Sequence, residues 1–564
     1  MSDRGLSYVH GAIGEPLLGL TIGQALDRAA ATWPDRTALV AHAQGTRWTW
    51  RALQAHVDSF AAGLLALGLR RGDRVGIWSL NRAEWVLTQF AAARAGLILV
   101  TVNPAYRLTE LEFALNTVGC TALVTATAFK TSDYLGMLDT LAPELATAEP
   151  GRLSAARLPH LRTVIQIGGP PAPGTIPFDA VAHHAGAAEH AALRDLAGVI
   201  QFDDAANIQF TSGTTGSPKG VTLTHHNILN NGYFVGRAMR LSAEDRICLP
   251  VPLYHCFGMV MGNLAALTHG CAMVYPGEGF DPRATLETVQ AERCTALYGV
   301  PTMFIAELDH PDFAQFDLQS LRTGIMAGAP CPIAVMRRVV EHMSMQDVTI
   351  AYGMTETSPV SFQSASDDPL ERRVTTVGRI HPHLEVKIVD PEGRVVPRGE
   401  RGELCTRGYS VMLGYWGDAE RTAEVLDAAG WMHTGDLATL DGEGYCNIVG
   451  RIKDMVIRGG ENIYPREVEE FLFRHPKIQD VQIFGVADRT HGEELCAWIK
   501  PRVGENLSEH EVRTFCVGQI AHHKIPRYIQ FVDAFPMTVS GKVQKYVMRR
   551  QVEEQLGLRR PETA

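Results

Sequence analysis

Apolar residues recur along this chain at two periods that alternate. Leu53, Val57, Phe60, Leu64 and Leu67 stand at helical spacing with Gly68 as a stop, and Val75-Gly76-Ile77-Trp78 then reads as a buried strand. A helix over 83–95 closed by Gly96, an apolar strand over 97–102, a Thr109-x-x-Glu112 capping box opening a further helix, and a strand over 122–124 continue the series. Strands that are apolar throughout and separated by helices predict a parallel sheet covered on both faces, with ligands gathering at the carboxyl ends of the strands. Between 141 and 193 the composition turns to Ala, Pro and Gly, which predicts a variable connection. Beyond 465 the segments are short: a helix over 465–473, strands over 481–486, 497–500 and 528–532, and a Ser508-x-x-Glu511 capping box. The expected fold class is α/β, a large N-terminal domain of doubly wound, mostly parallel sheets plus a small α+β C-terminal domain.

Composition narrows the class. The 564 residues exceed what one core can organise, and 46% hydrophobic with 20% charged residues excludes dominant disorder. A net charge of −10 argues against a nucleic-acid or anionic-membrane partner, which needs a concentrated basic surface. The ten cysteines form no C-x-x-C pair, so neither a zinc ribbon nor a redox dithiol is indicated, and reduced, buried thiols are expected. The first residues lack the apolar core of a signal peptide, and the best candidate for a membrane span, 85–102, is interrupted by Arg94 and Gly96. A soluble, cytoplasmic protein is expected, with a peripheral membrane contact and a homodimer left open.

One stretch cannot pack a core: Thr211-Ser212-Gly213-Thr214-Thr215-Gly216-Ser217-Pro218-Lys219-Gly220, opening from an apolar strand. Polyphosphate is held by converging backbone N–H groups, which calls for glycine, while hydroxyls add donors and Lys219 a point charge. The P-loop pattern G-x-x-x-x-G-K-[ST] fails, since counting from Gly213 puts Pro218 and Gly220 at its second glycine and its hydroxyl. A second stretch, Tyr352-Gly353-Met354-Thr355-Glu356, offers a ring to stack on a purine, a hydroxyl to reach an α-phosphate, and a carboxylate that belongs near phosphates only with a cation between, implying Mg²⁺ at Glu356. In Thr434-Gly435-Asp436 a carboxylate on a tight turn can accept both hydroxyls of a ribose. Tyr298-Gly299-Val300-Pro301 and Ala327-Gly328-Ala329-Pro330 are strand-end turns of small residues; they read either as tight packing or as a substrate tunnel wall (Tyr298, Ala327, Gly328) with a backbone edge for a purine at Ala329.

Taken together and in this order, these motifs resemble the adenylate-forming superfamily of acyl-CoA synthetases, luciferases and peptide-synthetase adenylation domains. The wording around 210–220, 252–257 and 458–465 looks most like medium-chain and broad-range fatty acyl-CoA synthetases. The resemblance implies ATP, Mg²⁺ and coenzyme A, together with a carboxylic acid, as the small molecules bound. It gives roles to residues that are mute alone: His255 and Phe257 in the acyl pocket, Arg451 on the ribose, Lys453 as a hinge, Arg458, Gly459 and Gly460 toward coenzyme A, and Lys542 as the catalytic lysine of adenylation. It also implies a large domain over 1–452 and a mobile lid over 453–564. An aryl- or other carboxylate-CoA ligase shares the pattern, and chain length is a matter of tunnel shape. A non-catalytic ATP sensor is expected to lack Lys542 or Glu356, and both are present.

Overall fold

The computed structural model describes residues 5–211, 218–329, 331–459, 461–538 and 543–558. The first periodic segment forms the helix Trp50–Ala66, begun by Thr49 Oγ1 accepting the Ala52 N–H at 3.2 Å, and its stripe Trp50, Leu53, Val57, Phe60 and Leu64 is buried. Strands Arg74–Trp78, Ile98–Thr101 and Ala122–Ala126 lie parallel and side by side, as residues apolar on both faces require. Their sheet runs, in spatial order, Ile176–Pro177, Thr163–Ile167, Ala122–Ala126, Arg74–Trp78, Ile98–Thr101, Ala205–Thr211, Lys219–Thr224 and Gly414–Tyr415; the last two pairings are antiparallel, so Lys219–Thr224 runs against the others.

A second sheet centres on the parallel strands Asp347–Gly353, Thr323–Ala327, Ala296–Gly299, Arg246–Cys248, Ala272–Tyr275 and Thr37–Ala41. One core cluster joins both sheets through the helices Trp50–Ala66 and Ala83–Arg94 between them. A third sheet is antiparallel: Tyr8–His10, Leu384–Val389, Gly402–Gly408, Met432–Leu440 and Cys446–Arg451. In Leu384–Val389 the buried Leu384, Val386 and Ile388 alternate with half-buried Glu385 and Lys387, so no continuous apolar run announces it.

Three expectations are corrected. The segment 141–193 is not merely a connection, because Thr163–Ile167 is a fully buried strand of the first sheet. Thr109 does not cap its helix: the helix is Leu108–Val118, the free amide belongs to Arg107 and is taken by Glu110 at 2.9 Å, and Glu112 pairs with Arg157 at 2.6 Å. The C-terminal region holds the three strands expected beyond 465 and two more before it: Glu461–Ile463, Val456–Arg458, Gly492–Pro501 and Ile478–Asp488 form an antiparallel array, with Tyr528–Phe531 added parallel. Ser508 does open the helix Glu509–Cys516, while Glu511 turns to Lys477 at 2.9 Å instead of closing the box.

The C-terminal strands enclose their own core of Val456, Ile463, Val468, Leu472, Ile483, Leu495 and Ile499. Contacts to the rest of the molecule include two hydrogen bonds, from Arg466 Nη1 to the Ile448 carbonyl at 2.7 Å and from Gln479 Nε2 to Asp309 Oδ2 at 3.1 Å, and the Arg401 guanidinium 4.1 Å over the Tyr464 ring. All ten cysteines are buried and unbridged. Among the described residues no helix is long and apolar enough to cross a membrane.

Candidate active site

Strands Ala205–Thr211 and Lys219–Thr224 pair antiparallel, with Thr211 opposite Lys219 as the last pair. This last pair stands at the carboxyl end of the parallel strand Ala205–Thr211; Ser212, Gly213, Thr214, Thr215, Gly216 and Ser217 lie outside the described residues. Lys219 Nζ stands 4.7 Å over the ring of Tyr415, whose hydroxyl donates to Glu356 Oε1 at 2.9 Å. Glu356 is buried in the single turn Thr355–Thr357 that follows strand Asp347–Gly353. Burial first, and then the Glu356 charge, push the Tyr415 phenol well up, so it stays a donor.

The ribose candidate is better enclosed than the sequence suggests. Asp436 Oδ2 accepts the Tyr352 hydroxyl at 2.6 Å and Oδ1 the Arg451 Nε at 3.0 Å, and Asp436 and Arg451 are partners across the antiparallel pair. Asp436 does not stand on a tight turn as expected: Gly435, with φ +68, lies inside the strand Met432–Leu440, where the register against Gly402–Gly408 shifts between Glu403 and Cys405, and its N–H is held by Glu403 Oε1 at 3.1 Å, while Glu403 Oε2 meets His433 Nδ1 at 2.9 Å. Burial works against the Arg451 charge, but Asp436 and Asp454 outweigh it and raise its pKa. Desolvation lowers the Lys453 pKa, with Arg451 and Lys219 adding to the effect against Asp454 and Asp436. Lys219 and Arg451 both bear on Lys453, so the candidate phosphate and ribose groups share one electrostatic neighbourhood.

The other strand ends converge beside it. Tyr298 and Ala327 are buried on neighbouring parallel strands, whereas Gly328 and Ala329 are exposed at the end of theirs. Tyr298 Oη donates to the Met261 carbonyl at 3.0 Å, and its ring stacks on Phe257 with centroids 5.8 Å apart. Phe257 opens Phe257–Leu264, a π-helix, the wide backbone form that marks many functional sites. His255 is half-buried with its ring 4.2 Å from that of Tyr254; Gln209, from the strand Ala205–Thr211, donates to the Tyr254 carbonyl at 2.5 Å and accepts from Cys256 at 2.6 Å.

On the C-terminal side, Arg458 Nε meets the buried Glu494 at 2.7 Å, and Gly459, with φ +58, donates to the His491 carbonyl at 2.8 Å. Gly460 and Lys542 lie outside the described residues. A cleft of about 450 Å³ separates the two regions, with Pro252, Tyr254 and Met303 on one wall and Phe535, Met537 and Thr538 on the other. The second wall is the segment leading to Lys542. Sequence reasoning missed Tyr415, Glu403 and Glu494. Gly414-Tyr415-Trp416 looks like any short apolar strand, and a lone glutamate in a strand looks solvated, so only the register reveals them.

Residues 26–416 match the model of the AMP-binding enzyme family and residues 467–542 that of the AMP-binding enzyme C-terminal domain. The chain is 49% identical to the mitochondrial medium-chain acyl-CoA ligase ACSF2 of Danio rerio, over 98% of this chain and 91% of that one. Its structure is similar to that of the anthranilate CoA ligase AuaEII in complex with anthranoyl-AMP, at a TM-score of 0.84, 26% identity and coverage of 96% and 99% of the two chains. It is also similar to ATP-bound MatB from Rhodopseudomonas palustris, at a TM-score of 0.81, 29% identity and coverage of 95% and 100%.

Proposed function

The chain belongs to the AMP-binding enzyme family, and from that membership we propose that it is an AMP-forming acyl-CoA synthetase: it joins a medium-chain fatty acid to ATP with release of pyrophosphate, then passes the acyl group from acyl-AMP to coenzyme A. The observation that carries the reading is the pairing of two anchored carboxylates, Asp436 between Tyr352 and Arg451, and Glu356 beneath Tyr415 and Lys219, at one end of the sheets. One suits a ribose, the other a cation on phosphates.

A carboxylate is a poor acyl donor because its leaving group would be oxide. In the first step its oxygen attacks the α-phosphorus and the bond to pyrophosphate breaks; in the second the thiol sulfur attacks the acyl carbon and AMP departs. Both partners of the first step are anions, so positioning and charge neutralisation carry the catalysis. Asp436 and Arg451 fix the ribose, Tyr352 and the Ala329 edge the purine, and the 211–219 run with Lys219 the departing phosphates. Thr355 reaches the α-phosphate, and Lys542 bridges it and the incoming carboxylate. His255, Phe257, Tyr298, Ala327 and Gly328 line the acyl pocket. Glu356 fits a magnesium ion, since Tyr415 holds Oε1 and, among the described residues, no hydrogen bond reaches Oε2. The ion, when bound, supplies charge neutralisation on the phosphates.

For the second step the small region turns about Lys453 and presents Arg458, Gly459 and Gly460 to coenzyme A. The domains are 1–452 and 453–564, and the protein works in the cytoplasm. A second reading, an aryl-CoA ligase, is favoured by the likeness to the anthranilate CoA ligase. Carboxylic acids of varied length and aromaticity, scored for pyrophosphate release with and without coenzyme A, separate the two. Medium chains are expected to give the highest turnover; best turnover on aromatic acids would select the second reading, and absence of AMP with every acid would remove both.

A further inference from the structure

Lys219 and Glu356 come from different motifs, yet both end on one side chain. Tyr415 lies in the edge strand Gly414–Tyr415, opposite Val221 of the strand that begins at Lys219, and the Trp416 N–H donates to the Gly220 carbonyl at 2.7 Å. Its N–H donates to Thr422 Oγ1 at 2.9 Å and its carbonyl accepts from Asp418 at 3.1 Å, so backbone bonds on both sides fix it. The residue is buried within the core that joins the two large sheets. There a phenylalanine would pack as well, and a buried hydroxyl is tolerated only with a partner. That partner is Glu356.

We propose that Tyr415 is a positioning residue of the adenylation step: its ring seats the Lys219 ammonium, its hydroxyl aims the Glu356 carboxylate, and a single rigid side chain sets the spacing between the group that receives the departing phosphates and the group that receives their magnesium. The roles of Lys219 and Glu356 rest on the ligase reading above; the joint between them rests on the geometry alone. With Oε1 tied to the phenol, Oε2 is the oxygen left to meet a cation, and a ligand pre-aimed in this way loses less freedom on binding. The ring face offers Lys219 a seat from which it can leave when phosphate arrives, because a cation over a ring is held without a directed bond.

The test uses the full chain and the variants Tyr415→Phe and Tyr415→Leu. Mn²⁺ is titrated in the presence of α,β-methylene-ATP and followed by electron paramagnetic resonance, and ATP–pyrophosphate exchange is measured against free Mg²⁺. Tyr415→Phe keeps the ring and is expected to raise the metal concentration for half-occupancy about tenfold, with affinity for the nucleotide analogue at saturating metal within about twofold of wild type. Tyr415→Leu is expected to show the same metal defect and, in addition, a several-fold higher KM for pyrophosphate. Wild-type metal dependence in Tyr415→Phe would overturn the inference, and so would equal losses of metal and analogue affinity, which is the mark of a merely structural residue. Thermal melting of Tyr415→Phe within a few degrees of wild type guards the comparison. Failure of the wild-type chain to bind the metal–analogue pair would sink the ligase reading and this inference with it, whereas binding that ignores Tyr415→Phe would sink this inference only.

Discussion

Arg451 and Arg458 make the same contact on two different bodies. Arg451 meets Asp436 at 3.0 Å and Arg458 meets Glu494 at 2.7 Å, and both carboxylates are buried. Asp436 belongs to the third sheet of the large region, whereas Glu494 belongs to the strand Gly492–Pro501 of the C-terminal sheet. Between the two arginines Ile452, Lys453 and Ile457 are exposed. The chain is gripped by one sheet, released, and gripped by the next. That is the physical ground for proposing a hinge at Lys453: losing either arginine would leave a buried carboxylate without its counter-charge, so rotation is easiest where neither pair needs to break.

The larger effect should come from breaking the first grip. Asp436→Ala removes the acceptor proposed for the ribose hydroxyls and leaves Arg451 and the Tyr352 hydroxyl without their partner. ATP affinity by calorimetry is expected to fall about a hundredfold, roughly 3 kcal/mol, while fatty-acid binding stays unchanged. Unchanged ATP affinity would take Asp436 off the ribose and end the comparison.

The second grip is expected to act on the other half-reaction. Glu494→Gln leaves Arg458 without its counter-charge while His491 and Arg527, at 3.2 and 3.4 Å from the same carboxylate, stay nearby. Thioester formation from supplied acyl-AMP should slow by about tenfold, about 1.4 kcal/mol, with ATP–pyrophosphate exchange untouched. Equal losses in both half-reactions would mean that Glu494 merely holds the fold together.

What the sequence made legible divides along the same line. Strands apolar on both faces declare themselves one residue at a time, so the parallel sheets and the strand that opens into the glycine-rich run after Thr211 were readable. Partners fixed by register were not. Tyr415 reaches Glu356 because an edge strand pairs with Lys219–Thr224, and Glu494 reaches Arg458 because Arg458 and Gly492 are paired neighbours. The strand Thr163–Ile167 escaped notice inside an Ala- and Pro-rich stretch, since five buried residues are too few to outweigh their surroundings. The Thr109 box failed for a related reason: which amide a helix leaves free depends on where the preceding chain enters, and that entry made Arg107 the first.

A third buried carboxylate shows what an arginine contributes by its absence. Asp480 lines the cleft between the regions and accepts the Val481 N–H at 2.7 Å, and among the described residues no cation is hydrogen-bonded to it. Burial, with Glu469 adding to it, pushes its pKa from 3.8 up to about 6 against the Val481 hydrogen bond and the Lys500 charge. The folded state therefore binds the proton more tightly than the unfolded chain. The acid form carries no penalty below about pH 4, and the cost of the charge grows as pH rises and is complete once pH passes about 6. Asp480→Asn keeps an acceptor for Val481 and removes the charge. It should stabilise the C-terminal sheet by at most about 3 kcal/mol at pH 7.5, and the gain should shrink as pH is lowered toward 4. Hydrogen exchange of the amides in Ile478–Asp488, compared at the two ends of that range, measures it. The same experiment on Glu494→Gln at pH 7.5 should show destabilisation, because there the charge is answered by Arg458. A gain in Asp480→Asn that does not change with pH would show that ionisation is not what strains this site, and the contrast between answered and unanswered carboxylates would fall.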